Sequence, residues 1–128
     1  MNGYFIAAAV IAGLAGIAHS LLGENLILKQ LDPQHLSKLW GSHELTHKIL
    51  RVFWHVVTLV WFAFGAQLVI LAAQESLKGL GFWIGVSIAS LFSVCALFFL
   101  IYTQGSFRMG YVSTGLVAVL TWIGLFSS

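Results

Sequence analysis

Four residues whose types do chemistry, His19, Glu24, Arg51 and His55, stand inside or at the edge of long apolar runs. An ionisable group is costly there unless it is paired. Imidazole and carboxylate together suit Zn²⁺ and other first-row metals, so His19, Glu24 and His55 are candidate ligands of one metal ion with a position open to water. On facing helices, His19 and His55 would alternatively hold a b-type haem, with Arg51 one turn nearer the surface to receive a propionate and Gly16 leaving room for the ring. A third chemistry is a proton relay through His19, Glu24 and His55, because His titrates near neutral pH and burial raises Glu toward it. The structural reading is that the same groups bond one another and lock two helices together. Under it the protein is a non-catalytic accessory or assembly subunit.

His43-Glu44-Leu45-Thr46-His47 repeats the H-E-x-x-H pattern of zinc metalloproteases, where two His one turn apart bind the metal and Glu polarises water. That chemistry needs a third ligand. His55 lies eight residues past His47, about 12 Å along a helix, too far to share the ion. His35, Asp32 or His19 would have to fold back instead. The expectation is a capped, solvated helix start, with a zinc hydrolase as an alternative and no catalytic residue assigned.

The elements that must position these groups are membrane helices. Of 128 residues, 59% are hydrophobic and 8% charged, against about a quarter charged in soluble domains. Four apolar runs of spanning length, at about 3–22, 49–74, 80–102 and 107–126, occupy most of the chain and leave room for one transmembrane domain over 1–128. No Lys or Arg precedes the first run and no Ala-x-Ala-like site follows it, so it is expected to be a retained span. In that run Ala8, Ala12, Gly16 and Ser20 recur every fourth position, a small-residue face that admits a neighbouring helix. Asp32 and Pro33 read as N-cap and first residue of a short interfacial helix ending before Gly41, with Leu36, Leu39 and Trp40 on its apolar side. Ser42 caps a long helix beginning at His43, whose first two turns project beyond the hydrocarbon. Ser87, Ser90 and Ser93 are expected to pack the third span, and Gln67 to bond a neighbouring helix. Trp54, Trp61, Trp83 and Trp122 are expected to face lipid or the interface.

The fold expected is therefore an all-α integral membrane four-helix bundle with a short interfacial helix between its first two spans. His19 ends the first span while Arg51 and His55 begin the second, so an antiparallel pair brings them to one level beside Glu24. The stretches His19-Ser20-Leu21-Leu22-Gly23-Glu24 and Arg51-Val52-Phe53-Trp54-His55 resemble a pattern found in a family of small, uncharacterised bacterial four-span proteins. That resemblance implies a bacterial inner-membrane location and carries no activity with it. Lys29, Lys38, Lys48, Arg51 and Arg108 fall on the side of the first and third connections and only Lys78 on the other, which predicts both termini outside. Six scattered basic residues make no nucleic-acid surface, and the lone Cys95 excludes an intrachain disulfide. The expected partners are the lipid bilayer and either a second copy or a larger membrane complex.

Overall fold

The computed structural model describes every residue except Trp40, Glu75 and Ser76. Its helices are α1 (Gly3–Leu22), α2 (His43–Ala72), α3 (Leu80–Tyr102) and α4 (Arg108–Phe126), and the described residues hold no strand. All four are long and apolar enough to cross a membrane. The third coincides with the expected span and the fourth starts one residue later. The first does not stop at Leu22 but continues as a π-helical stretch, Gly23–Leu28. At 30 residues α2 is about 45 Å long, against a hydrocarbon core of about 30 Å, so about ten residues lie outside it.

The expected interfacial helix shrinks to one 3₁₀ turn, Pro33–His35. Asp32 does cap it, its carboxylate accepting from the Gln34 amide at 2.9 Å. Leu36 then turns extended, because its carbonyl is taken by His43 Nδ1 at 2.5 Å and that of Ser37 by the Thr46 hydroxyl at 2.9 Å. The connection is thereby drawn onto the first turn of α2 instead of continuing as a helix. Trp40, expected as an interfacial anchor, lies outside the described residues.

The chain divides into two compact units, Met1–Gly13 with Phe62–Ser128, and Leu14–Trp61. In the first, segments of all four spans meet in cyclic order. Between α1 and α2, a methyl at Gly65 would lie 3.5 Å from the Ala9 carbonyl, so the missing side chain lets the backbones approach. Ala8 and Ala12, from the small-residue face, are fully buried. Phe64 of α2 meets Phe92 of α3 edge to face at 5.6 Å. Leu125 of α4 fills the space over Gly85 of α3, and Trp122 Nε1 donates to Ser93 Oγ at 3.3 Å. Phe5 of α1 packs over Gly124 of α4, and the Asn2 side chain donates to the Gly124 carbonyl at 2.9 Å while its backbone amide donates to that of Ala72. Each pair of neighbours is thus joined by an aromatic pair, by a large side chain over a small one or by a hydrogen bond.

Two expectations for this unit are corrected. Ser87 bonds back to the Trp83 carbonyl of its own helix and Ser90 is exposed, so of the three serines only Ser93 reaches another span. Trp122, expected to face lipid or the interface, is half-exposed and gives its indole N–H to that serine. Gln67 is exposed and its amide has no hydrogen-bond partner among the described residues. It faces outward because Gly65 and Leu68, which flank it, are the buried positions of that turn.

A Glu–Arg–His cluster as candidate functional site

The second unit, Leu14–Trp61, holds the end of α1, the π-helical stretch, the 3₁₀ turn and the first half of α2. The π-helical stretch is what places Glu24. Its hydrogen bonds skip one residue more than those of an α-helix, as in Lys29 N–H donating to the Glu24 carbonyl at 3.0 Å. Asn25 braces the turn, donating to the Leu21 carbonyl and accepting from Lys29 Nζ, each at 2.9 Å. Gly23 opens the stretch for a steric reason. A methyl there would fall on the Trp54 indole, so only glycine lets this tryptophan lie against the end of α1. Trp54 stacks on the His19 imidazole, ring centroids 4.4 Å apart and planes 2° from parallel, and its Nε1–H donates to the His19 carbonyl at 3.0 Å. Trp54, expected to face lipid or the interface, is thus half-buried against the end of α1.

Arg51, one turn before Trp54 on α2, and His55, the residue after it, both reach Glu24. Arg51 Nη2 lies 3.0 Å from Glu24 Oε1, and His55 Nε2 lies 3.5 Å from Glu24 Oε2. The second distance is an ionic approach, longer than an ordinary hydrogen bond. On its other side His55 Nδ1 shares a 3.0 Å hydrogen bond with Ser20 Oγ. With the imidazole proton on Nε2, facing the carboxylate, Nδ1 accepts from the serine hydroxyl. Among the described residues, the buried side-chain polar atoms without a hydrogen-bond partner are His19 Nε2, Glu24 Oε2, Arg51 Nε and Thr58 Oγ1. All four belong to this end of α1 and α2. Native interiors leave few such atoms, and those they leave mark strain, bound species or chemistry.

The structure therefore brings Glu24, Arg51 and His55 together and sets His19 beside them under Trp54. Ser20 and Trp54 are members that sequence reasoning missed. Ser20 stood in the small-residue stripe, and the signal for both residues was their place in the two stretches that carry the family resemblance. No group of three or more His, Cys, Asp or Glu side chains among the described residues is placed to hold a metal ion. The expectation of metal ligation by His19, Glu24 and His55 gains no support, because the His55 nitrogens face Ser20 and Glu24 while the His19 ring is stacked. The same engagement of His55 leaves the haem expectation for His19, His55 and Arg51 without support.

The H-E-x-x-H residues are spent on backbone. Ser42 caps α2 as expected, accepting from the Leu45 amide at 3.1 Å. His43 Nδ1 donates to the Leu36 carbonyl, and His47 Nε2 donates to the Leu28 carbonyl at 2.9 Å, closing the last π-helical residue against α2. His35 pairs with Asp32 at 3.0 Å, on the surface. None of these supplies a third ligand to His43 and His47.

Comparisons with protein-family models, with curated proteins and with solved structures returned no match. The four apolar helices make this an integral membrane protein, and what the cluster does has to be argued from its geometry.

Proposed function

We propose that the chain is a small inner-membrane protein of bacteria in which Ser20, His55 and Glu24 form a proton-handling chain at one membrane face. The single observation that carries this reading is the position of His55, whose two ring nitrogens face a hydroxyl at 3.0 Å and a carboxylate at 3.5 Å. An imidazole so placed can take a proton on one nitrogen and release it from the other. Arg51, 3.0 Å from the same carboxylate, holds it beside the ring. Relays built from His and Glu are a recurrent use of ionisable groups in membrane spans. The five-to-one bias of basic residues puts this face in the cytoplasm and both termini outside.

A second reading is favoured by a separate observation: Trp54 to His19, Ser20 to His55 and Glu24 to Arg51 all tie the end of α1 to the start of α2. Under it the cluster is a lock in an accessory subunit of a larger complex. A metal or haem reading has one atom in its favour, His19 Nε2, buried and without a partner. One set of measurements separates the three. In lipid, a change in pH is expected to change the imidazole and carboxylate infrared bands together, with Glu24→Gln abolishing the coupled change. A lock gives no such change, and a stoichiometric metal or a Soret band in the purified protein would restore the cofactor reading.

A further inference from the structure

Gln67 lies five residues before the end of α2, about 7.5 Å inside the end of the span, which places it in hydrocarbon. It is exposed there and has no hydrogen-bond partner among the described residues. A primary amide facing lipid keeps two donors and an acceptor unsatisfied, a state that membrane helices relieve by association. Its surroundings form a groove between α2 and α3, lined by Phe64, Gln67, Leu80, Trp83, Ile84 and Ser87, among other residues. Trp83 on its rim is 64% exposed. Ser87 is bonded to its own helix, so the Gln67 amide is left on this face with the Trp83 indole N–H, and of the two only the amide both donates and accepts.

We propose that this groove is a homodimer interface in which Gln67 of one copy bonds Gln67 of a second copy across a two-fold axis. The chemistry of the amide selects this occupant. Its carbonyl accepts and its NH₂ donates, so two amides related by a two-fold axis satisfy each other reciprocally, and a residue near such an axis meets its own copy. Carboxamide side chains are among the groups that hold membrane helices together in this way. The groove supplies the packing around the pair, with Phe64 and Trp83 as the large side chains of an otherwise apolar surface.

The test uses the full chain in phosphatidylcholine vesicles, labelled after Ser128 with donor or acceptor fluorophores and diluted in lipid. The wild type is expected to transfer energy as a dimer, Gln67→Leu to weaken association at least tenfold, and Gln67→Asn, which keeps an amide, to retain part of it. Circular dichroism checks that each variant remains helical. In a Cys95→Ala background, Gln67→Cys is expected to cross-link to itself under oxidant, whereas Val69→Cys, on the opposite face of α2, is not. A monomeric wild type, unchanged association in Gln67→Leu, or equal cross-linking at the two positions would overturn the proposal.

Discussion

Trp54 is held by His19 twice, through a ring stack at 4.4 Å and through its indole N–H on the His19 carbonyl at 3.0 Å. The absence of a side chain at Gly23 permits both contacts. Gly23→Ala is therefore expected to push the indole away and destabilise the protein by about 1–3 kcal/mol, the usual cost of overpacking. Gly13→Ala, where a methyl meets nothing within 4 Å, is the matched control and should cost no stability. Thermal unfolding of the two variants in the same lipid measures the difference. Equal midpoints would show that the indole moves aside freely.

The pair Glu24 and Arg51 should be coupled, but modestly. The Arg51 side chain is 42% exposed, so solvent screens an ion pair that would be worth more in a dry interior. A double-mutant cycle with Glu24→Gln and Arg51→Met is expected to give a coupling of about 1 kcal/mol. Additive effects would mean that the carboxylate is held by something other than the guanidinium.

His47→Ala and His55→Ala should differ in kind. His47 contributes one hydrogen bond to the Leu28 carbonyl, so its loss is expected to lower stability by about 1 kcal/mol and leave the infrared response to pH unchanged. His55→Ala should remove that response while the protein stays inserted and helical. The opposite assignment would return the H-E-x-x-H stretch to consideration.

Topology follows from charge. Reporter fusions after Ser128 are expected outside, and fusions within 34–38 in the cytoplasm, because five of the six basic residues lie on the side of the first and third connections. A cytoplasmic C-terminus with an external first connection would reverse the orientation and place the Glu24 cluster on the other face.

The spans were legible because apolar length is a strong and local signal, and α3 is found where the run of apolar residues begins and ends. Glu24, Arg51 and His55 were legible for the complementary reason, since ionisable groups next to lipid stand out and must pair. The π-helical turn was not, because it has no composition of its own and goes with a tryptophan docking on Gly23 from a helix thirty residues away. The short helix starts where Asp32 and Pro33 indicate but its end was not legible for a similar reason: Leu36 and Ser37 give their carbonyls to His43 and Thr46, partners that no local pattern at Pro33 reveals. Gln67 was misread because periodicity places a residue on a face but does not say which face the neighbours cover.

The widened turn at Gly23–Leu28 also makes the chain sensitive to length at one point. An α-helix through the same stretch would need one residue fewer to cover the same path, so a single deletion there is a natural way to straighten it. Made at Gly23, the one residue of the stretch that lies between Ser20 and Glu24, such a deletion would keep every residue of the cluster and yet rotate Glu24 relative to Ser20 by up to a helical step of about 100°, enough to swing the carboxylate off Arg51 and His55. The spacing between Ser20 and Glu24 is thus a phase setting, one that substitution at either residue would never expose.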